Sequence, residues 1–395
     1  MTEPWFITNL KYVTSKIGSG ATPRGGSNVY TDEGPNFIRS QNIYDGYFEY
    51  NGLVHLSKEA AYELRNVEVK QNDVLINITG ESVARTCIVP PKVLPARVSQ
   101  HVSIIRPNPD VVDPKFLSYL LLAPLNKQKL NQLSQAGATR RALTKGHLES
   151  LKISIPNLPA QRGISEVLGS IDDLIEVNQI LISHCSQLCD ALWNKYQQFA
   201  TRTAKLADIS VVVLGGTPSR KVPEYWNGEI PWINSGKVNE FRITEPSEFI
   251  TSLGLNSSST KLMSKGTTVI AITGATLGQV SRLEIDACGN QSIVGVFNLD
   301  ESLNNYLYQT IRANVDVLAR SATGGAQQHI NKANVEELDI PLLDEKRLRD
   351  LHRQTQPLYQ AVSELIFESN ELRSTRDELL PLLLSGEIKV KEVAA

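Results

Sequence analysis

The chain contains an internal repeat with a period of about 190 residues. The separation between matched positions falls from 195 residues near the start to 185 near the end. A few loop deletions in the second copy would produce this gradual decrease. Solenoid repeats span only about 20–50 residues, so a period this long predicts two duplicated globular domains. The matched pairs include Thr22-Pro23 with Thr217-Pro218, Ser40 with Ser235, Ile78-Thr79-Gly80 with Ile272-Thr273-Gly274, Gln100 with Gln291, Lys145 with Lys332, and Ile155-Pro156 with Ile340-Pro341.

Each copy is followed by a stretch in which apolar residues recur every seven positions. This pattern is typical of an amphipathic helix that packs against a partner helix. We expect two long helices that form an antiparallel coiled coil, with the polar residue Asn178 fixing their register. Pro357 is expected either in the first turn of the second main helix or at a kink. The first helix has the columns Ile164, Ile171, Asn178, Cys185, Leu192, Phe199; Val167, Leu174, Leu181, Leu188; and Leu168, Ile175, Ile182, Cys189, Tyr196; the second has Leu351, Leu358, Leu365, Leu372, Leu379.

The predicted fold class is α+β, with two duplicated mixed α/β globular domains that are each followed by a long helix. The boundaries are 1–157 for the first domain, 158–202 for the first helix, 203–343 for the second domain and 344–395 for the second helix. Strands are expected at 73–79, 102–106 and 151–155, and at 267–273, 293–298 and 338–342. Helices are expected at 114–132 and 304–320.

An antiparallel pair of helices relates the two copies by an approximate two-fold axis. A helix over 172–200 is about 43 Å long at 1.5 Å per residue. Half-sites one helical turn apart on DNA lie about 34–36 Å from each other. The arrangement therefore fits a bipartite DNA target with an unread gap whose length the helices set.

The charge distribution limits how strongly the isolated chain can bind nucleic acid. The net charge is −2, and residues 1–157, with 18 Lys and Arg against 13 Asp and Glu, form the one basic segment. Since phosphate neutralisation supplies most non-specific affinity, weak binding by the chain alone and a partner with a positive surface are expected.

Several other functional classes find no support in the sequence. No apolar run reaches the length of a membrane helix and the N-terminus lacks a secretory pattern, so a cytoplasmic location is expected. The four cysteines suggest neither a disulfide framework nor a metal site, and Cys185 and Cys189 are interpreted as small apolar residues of a helix seam. Phosphate loops, dinucleotide fingerprints, zinc signatures and the Asn-Pro-Pro-aromatic motif are absent from the sequence, so neither catalysis nor a cofactor is expected.

The chain resembles the specificity subunits of type I restriction-modification systems over nearly its whole length. The resemblance rests on ISIP at 153–156, QRGI at 161–164, LGSIDDLIEVN at 168–178 and LLPLLLSGEI at 379–388, together with the duplication. It implies that the globular domains are target recognition domains and that the helices are conserved spacers. It further implies double-stranded DNA, two methyltransferase (modification) subunits and restriction subunits as partners, and no membrane.

Polar and basic loop residues that recur in both copies are the candidates for reading DNA. Arginine and lysine suit guanine edges and phosphates, and glutamine and asparagine suit adenine. The first-copy candidates are Arg39, Gln41, Asn42, Arg85, Gln100, His101, Arg140, Arg141 and Lys145. The second-copy candidates are Arg220, Lys221, Asn234, Lys237, Thr276, Asn290, Gln291, Gln327, Gln328, His329 and Lys332.

Two alternatives remain open from the residues themselves. The 134–145 loop and its counterpart can instead cap the segment that follows, and Gln100 and Gln291 can satisfy buried backbone groups. At the level of the whole chain, the alternative is a two-headed protein-binding scaffold, in which the two globular domains bind other proteins and a coiled coil separates them. The low net charge favours this alternative. The basic first domain and the Arg140-Arg141 pair favour DNA.

Overall fold

The computed structural model describes residues 5–135, 141–320 and 329–390. The chain divides into two compact units: unit 1 comprises Met1–Ile175 with Glu371–Ala395, and unit 2 comprises Glu176–Asn370. Each unit contains one copy of the globular domain and a part of both long helices, so the division cuts across the duplicated sequence.

The first copy has ten strands and five helices among its described residues. The strands are β1 (Phe6–Asn9), β2 (Thr14–Ser19), β3 (Tyr30–Ile38), β4 (Val54–Leu56), β5 (Glu68–Val69), β6 (Val74–Asn77), β7 (Thr86–Ile88), β8 (Ala96–Val98), β9 (Val102–Pro107) and β10 (Lys152–Ile155). The helices are α1 (Lys58–Glu63), α2 (Pro114–Leu122), α3 (Pro124–Gln135), α4 (Lys145–Glu149) and the long α5 (Leu158–Gln197).

The second copy repeats this order of strands, although its shorter helices differ in two places. Its strands are β11 (Arg202–Lys205), β12 (Val211–Leu214), β13 (Trp226–Ile233), β14 (Glu248–Ile250), β15 (Leu262–Met263), β16 (Thr268–Ala271), β17 (Val280–Arg282), β18 (Ala287–Gly289), β19 (Ile293–Phe297) and β20 (Asp339–Leu342). Its helices are α6 (Leu206–Ile209), α7 (Ser252–Asn256), α8 (Asn304–Arg320), α9 (Lys332–Glu336) and the long α10 (Glu345–Ser385).

The sheets of the two copies have the same topology. In unit 1 the strand orders are β2-β9-β6-β7, β4-β3-β8-β5 and β1-β10. In unit 2 they are β12-β19-β16-β17, β14-β13-β18-β15 and β11-β20. The central pair of the second sheet, β3 with β8 and β13 with β18, is parallel in both copies, whereas the other pairs are antiparallel. The duplication predicted from the sequence is confirmed at the level of strand order.

The first sheet of each copy lies between two hydrophobic clusters. Along β6, Val74 and Ile76 pack into one cluster, whereas Leu75 between them packs into the other. Successive strand residues point to opposite faces, so a strand that is covered on both sides must be apolar at every position. Strand β16 shows the same alternation, with Ile270 facing one cluster and Val269 the other. The continuous apolar runs in the sequence therefore mark the central strands.

The helix predicted over 114–132 is wrong in one respect, because it is two helices. Helix α2 ends at Leu122 and α3 begins at Pro124, with Ala123 as the C-cap between them. Proline has no N–H and its ring clashes with the preceding turn, so the helix stops there. Asn126 Nδ2 donates to the carbonyl oxygen of Leu120 at 2.8 Å and thereby satisfies one of the freed backbone acceptors.

The long helices begin at equivalent caps. The N–H of Ala160 donates to Asn157 Oδ1 at 2.8 Å, and the N–H of Arg347 donates to Asp344 Oδ1 at 2.8 Å. These caps satisfy one of the four free N–H groups of each helix. Pro357 lies in the interior of α10, so the alternative that placed it in the first turn is wrong.

The parts of α5 and α10 contact each other in both units, and in unit 2 the contacts show that they are antiparallel. In unit 1, Asp172 on α5 pairs with Arg376 on α10 at 2.7 Å. In unit 2, Asn178 lies beside Glu368 and Tyr196 beside Gln354, so increasing numbers on α5 meet decreasing numbers on α10. Asn178 is buried at 5% exposure, in agreement with its predicted place in the seam.

One set of apolar residues of α5 that recurs every seven positions does not belong to its contact with α10. Val167 and Leu174 in unit 1, and Leu181 and Leu188 in unit 2, are 38–51% exposed. In contrast, the column that contains Leu168, Ile175 and Cys189 is mostly buried. Within each unit the seam is thus narrower than the sequence pattern suggests, and the part of α5 in that unit has exposed apolar side chains. Among the described residues, no helix combines the length and hydropathy required to cross a bilayer.

Candidate nucleic-acid interface

Loops that are distant in the sequence meet at one end of the central strands of unit 1. The N–H of Ile78 donates to the carbonyl of His101, and the N–H of Leu143 donates to the carbonyl of Ile78, at 2.9 and 2.8 Å. Thr79 forms a β-bridge with Ala142. Asn77 Nδ2 donates to the carbonyl of Ser40 at 2.9 Å and so attaches the 39–42 turn. We call residues 39–42, 79–85, 100–101 and 141–145 the first loop cluster.

Gln100 and His101 are exposed members of the first loop cluster. His101 Nδ1 lies 2.6 Å from Thr79 Oγ1, and its Nε2 lies 3.4 Å from Gln100 Nε2. The imidazole is therefore held closely by Thr79 on one side and lies beside the Gln100 amide on the other. The backbone groups of this turn are satisfied by neighbouring backbone, as in the bond from Val102 N–H to the Ser99 carbonyl, so the exposed Gln100 side chain is not needed for that purpose.

The 39–42 turn combines one structural residue with two accessible ones. Asn42 is fully buried, where its Nδ2 donates to the carbonyl of Glu49 at 2.9 Å and its Oδ1 accepts from the N–H of Arg39. A side chain with no exposed surface cannot contact DNA in this conformation, so Asn42 is removed from the candidate set. Arg39 and Gln41 both reach the carbonyl of Gly52, at 2.6 and 3.4 Å, and remain at the surface.

Three further basic residues complete the first loop cluster. Arg85 is half-buried, and its guanidinium lies 4.6 Å from the ring centre of Tyr44. Arg141 is exposed, and its carbonyl accepts from the N–H of Gly80 at 3.2 Å. Lys145 begins α4 and forms an exposed ion pair with Glu149 at 3.5 Å. Arg140 lies outside the described residues.

The equivalent loops of unit 2 meet in the same way. Ile272 N–H donates to the carbonyl of Ser292, and Ile330 N–H donates to the carbonyl of Ile272, both at 2.9 Å. Thr273 forms a β-bridge with His329, as Thr79 does with Ala142 in the first copy. Asn290 N–H donates to the carbonyl of Ile233 at 3.0 Å. We call residues 234–237, 273–276, 290–291 and 329–332 the second loop cluster.

Two exposed side chains dominate the second loop cluster. Gln291 accepts a short hydrogen bond from Thr217 Oγ1, which positions its amide at the surface. His329 is exposed, in contrast to the buried Ile330 that follows it. Gln327 and Gln328, which precede His329, lie outside the described residues.

The remaining polar members of the second loop cluster make local contacts, and two asparagines among them stabilise turns. Asn234 Oδ1 and Asn290 Oδ1 accept from the N–H groups of Gly236 and Ser292, at 2.9 and 3.0 Å. Thr276 Oγ1 donates weakly to the carbonyl of Thr273 at 3.4 Å. Lys237 and Lys332 are engaged in local ion pairs with Glu240 and Glu336, at 2.8 and 3.0 Å.

Arg220 has a more constrained environment than the sequence suggests. Its two terminal nitrogens pair with both carboxylate oxygens of Glu248 at 2.5 and 2.7 Å. The guanidinium also lies 3.6 Å from the ring centre of Trp226. The paired carboxylate raises the pKa of Arg220, and the guanidinium in turn lowers the pKa of Glu248. A phosphate must displace Glu248 to bind Arg220, whereas the exposed Lys221 has no such constraint.

The sequence reasoning did not identify an aromatic turn next to the first loop cluster. Ile43 and Phe48 form a β-bridge that closes a turn. Within this turn the rings of Tyr44 and Tyr47 stack on each other, with their centres 4.9 Å apart. Tyr47 is 54% exposed, and burial of the remainder, with the nearby Tyr44, raises its pKa. The Tyr-Asp-Gly-Tyr sequence signals a turn between two aromatic residues, but only the structure shows that it adjoins Arg85.

The described residues contain no group of side chains that could hold a metal ion. No group of three or more His, Cys, Asp or Glu side chains within residues 5–135, 141–320 and 329–390 is arranged to hold a metal ion. The four cysteines are unpaired, and burial raises the pKa of the Cys87 and Cys189 thiols to about 12.

Comparison with known proteins agrees with this architecture. The family model described as the type I restriction modification DNA specificity domain matches residues 5–183 and again residues 201–346. The chain is 22% identical to the HindI specificity subunit of Haemophilus influenzae, over 81% of this chain and 87% of that one. It is 24% identical to the MjaIX specificity subunit of Methanocaldococcus jannaschii, over 76% of this chain and 74% of that one.

A solved structure shares the fold. The S subunit of a type I restriction-modification system from M. genitalium superposes with a TM-score of 0.62, covering 99% of this chain and 97% of that one at 15% identity. Both copies match the family model, and together these matches cover most of the chain. The chain therefore belongs to the specificity subunits of type I restriction-modification systems.

Proposed function

We propose that the first and second loop clusters are the two surfaces through which this specificity subunit reads DNA, one half-site each. The observation that carries the proposal is the repeated geometry. In both copies, the same four loops converge at one end of the central strands, and each convergence presents an exposed glutamine and an exposed histidine. Amide and imidazole groups on rigid loops suit hydrogen bonds to base edges in the major groove.

The residues that we assign to these surfaces are revised from the sequence prediction. Asn42 is excluded, Arg220 is set aside because its guanidinium is paired with Glu248, and Asn234 and Asn290 act chiefly to shape their loops. Arg140, Gln327 and Gln328 stay predictions. The proposed base- or phosphate-contacting residues are Arg39, Gln41, Arg85, Gln100, His101, Arg141 and Lys145 in the first copy, and Lys237, Thr276, Gln291, His329 and Lys332 in the second. Lys221, which lies outside the second loop cluster, is kept as a separate candidate for phosphate contact.

We further propose that the domains follow the boundaries 1–157, 158–202, 203–343 and 344–395, and that the chain itself catalyses nothing. Methyl transfer and cleavage then belong to the modification and restriction subunits with which it assembles in the cytoplasm. The exposed apolar side chains of Leu181 and Leu188 on α5 in unit 2 support a protein partner, since exposed apolar patches mark interaction surfaces. Two modification subunits, one per copy, are proposed.

The proposal is tested with the reconstituted complex of this chain and its modification subunits. The complex is expected to protect one split DNA sequence and to lose affinity steeply between 50 and 200 mM salt, by roughly 10³-fold or more when six or more phosphates are contacted. Exchange of residues 1–157 for those of a related subunit should change one half of the target. Salt-independent binding, or a change in both halves, contradicts the proposal.

The two-headed protein scaffold loses its support as an alternative. Its main argument was the low net charge, but the matched family is one of DNA specificity domains. A partner that supplies positive surface accounts for the same charge.

A further inference from the structure

We propose that Tyr47 provides a stacking surface for an unstacked nucleobase in the DNA that the first copy reads. The inference rests on the proposed function, because it assumes that the first loop cluster binds one half-site. It adds a contact of another kind, made by the face of an aromatic ring rather than by hydrogen bonds. The feature that carries it is the aromatic turn, residues 43–48, which adjoins Arg85.

The two tyrosines of the aromatic turn leave one ring accessible. The rings of Tyr44 and Tyr47 are stacked nearly parallel, with an angle of 13° between their planes. Tyr44 is half-buried, whereas Tyr47 is 54% exposed. Since Tyr44 covers one face of the Tyr47 ring, the exposed surface belongs to the other face and the ring edge. A further planar ring can therefore stack on Tyr47.

The aromatic turn is attached to the neighbouring strand, so the position of Tyr47 is fixed. The N–H of Gly46 donates to the carbonyl of Thr86 at 2.9 Å. The N–H of Thr86 in turn donates to Asp45 Oδ1 at 3.1 Å, and Lys127 on α3 forms an ion pair with the same carboxylate. A side chain that is already ordered loses little conformational entropy on binding, which favours a role in recognition.

Two arginines and one carboxylate lie near the accessible ring. Burial, followed by the adjacent Tyr44 and Glu49, raises the pKa of the Tyr47 hydroxyl. The positive charges of Arg85 and of Arg373 on α10 oppose this effect, so both lie close to Tyr47. Surfaces that bind unpaired nucleotides combine an aromatic face for the base with positive charge for the backbone. The aromatic turn has both.

The second copy shows that the fold does not require this pair of rings. The buried residues that precede, begin and end the turn match between the copies at a constant separation of 195: Ile38, Ile43 and Phe48 with Ile233, Val238 and Ile243. By this match, Tyr44 and Tyr47 correspond to Asn239 and Arg242. Arg242 is 6% exposed and pairs with Glu284 at 3.3 Å. The stacking contact is therefore expected at the first half-site only.

The DNA of the complex is expected to contain an unstacked base. Methyltransferases rotate their target nucleotide out of the duplex before they react with it. Two bases then lose stacking neighbours, namely the extruded base and the partner that it leaves behind. Both have the chemistry that Tyr47 requires, since every base has an aromatic face.

The inference is tested with the reconstituted complex and the variant Tyr47→Leu, which keeps apolar bulk but removes the aromatic face. We expect it to bind a duplex with the complete target about tenfold or more weakly than the wild type. Tyr47→Phe keeps the ring and should bind as the wild type does. A loss of the same size in Tyr47→Phe shows that the hydroxyl makes the contact, and overturns the proposal.

Duplexes that lack one base identify the base that stacks. An abasic position in the first half-site replaces either the methylated base or its partner. On one of these two duplexes the wild type and Tyr47→Leu should bind equally, because the base that stacks is missing. A difference that persists on both duplexes overturns the proposal.

Tyr62→Leu is the matched control in the same copy. Tyr62 on α1 is 69% exposed, and the guanidinium of Arg65 lies 4.6 Å from its ring centre, but it lies outside the first loop cluster. This variant should bind every duplex as tightly as the wild type. Equal losses for Tyr62→Leu and Tyr47→Leu on the complete target overturn the proposal.

A second measurement does not depend on affinity. The fluorescent base 2-aminopurine is quenched when it is stacked, and it replaces the base that the abasic duplexes identify. With the DNA saturated by the complex, its emission should be stronger with Tyr47→Leu than with the wild type. Equal emission overturns the proposal.

The variant Gln100→Ala separates a failure of this inference from a failure of the proposed function. If Gln100→Ala weakens binding and Tyr47→Leu does not, the hydrogen-bonding surface stands and the stacking contact is wrong. If neither change weakens binding, the proposed function fails and the stacking contact fails with it.

Discussion

Gln100 and Gln291 are equivalent residues whose surroundings differ in detail. Gln100 adjoins His101, which contacts Thr79, whereas Gln291 is held directly by Thr217. Both are exposed and both lie where the loops of their own copy converge. If each copy reads its own half-site, this pair offers the sharpest test at the level of single side chains.

Gln100→Ala is expected to weaken DNA binding by the reconstituted complex by roughly tenfold, since one bidentate amide–adenine contact contributes about 1–3 kcal/mol of discrimination. This loss of affinity should disappear when the DNA already carries a change in the first half-site. It should remain when the DNA carries a change in the second half-site only. Competition binding with the two altered duplexes measures this.

Gln291→Ala is the control. Its loss of affinity should disappear when the second half-site is changed and remain when only the first is changed. Equal losses at both half-sites for either variant indicate damage to the fold and contradict the assignment.

The four cysteine thiols differ in burial, so their rates of reaction with thiol reagents should differ as well. Burial raises the pKa of Cys87 and Cys189 to about 12 and that of Cys288 to about 11, so these groups stay protonated at pH 8. Since the thiolate is the reactive form, they should react slowly. Cys185 is only half-buried.

We therefore expect a thiol reagent at pH 8 to modify Cys185 first in the native chain and all four cysteines in urea. Peptide mass analysis after a timed reaction identifies the modified site. Rapid modification of Cys87 or Cys288 in the folded chain is the outcome that contradicts the described burial.

At the level of elements, the two long helices differ in the chemistry of their caps. Asn157 caps α5 with a neutral amide, whereas Asp344 caps α10 with a carboxylate. The backbone N–H of Arg347 donates to Asp344 and lowers its pKa. A carboxyl group whose pKa is lower in the folded state stabilises the fold above its unfolded pKa, and this contribution disappears as the pH falls through the folded pKa.

The stability difference between the wild type and Asp344→Ala should therefore be largest above about pH 5 and shrink below about pH 4. Urea unfolding across this range measures it. Asn157→Ala is the matched control. It should lower the free energy of unfolding by about 1 kcal/mol, with little dependence on pH. A constant difference for Asp344→Ala shows that the carboxylate form does not act as the cap.

The helix interiors also show where a sequence pattern is misleading. Periodicity alone joined 114–132 into one helix, although Pro124 carried the signal for a break. The heptad columns of α5 gave equal weight to Leu168 and Leu174, but the structure buries the first and exposes the second. Periodicity identifies the helix and its apolar width, whereas the size of the partner surface determines how much of that width is covered.

At the level of the whole molecule, the long helices should govern the spacing between the half-sites. One heptad inserted beside Asn178 and one beside its partner Glu368 add about 10.5 Å to the helix pair and keep the facing residues in phase. The unread gap is then expected to lengthen by about three base pairs, at roughly 3.4 Å each.

Sequencing of methylated sites, or binding to duplexes of graded gap length, measures this change. An unchanged gap in a stable insertion variant contradicts the role of the helices in spacing. Insertion into α5 alone is the control; it misaligns Asn178 with Glu368 and should destabilise the chain instead.

The sequence by itself determined the duplication, the order of domain and helix, and the class of protein. These features are recorded in local patterns: a repeat with slow drift, a seven-residue period and apolar runs that must be buried on both faces. The strand order within each sheet was not predicted, because it joins strands that are distant in the chain, such as β3 and β8.

Only the tertiary structure decided which polar residues are available and which partners they have. Asn42 and Gln41 are adjacent in the chain, yet one is buried and the other exposed. Asp172 and Arg376 are 204 positions apart and meet only because two helices fold against each other. Such contacts are non-local, so their energies depend on geometry that no local pattern encodes.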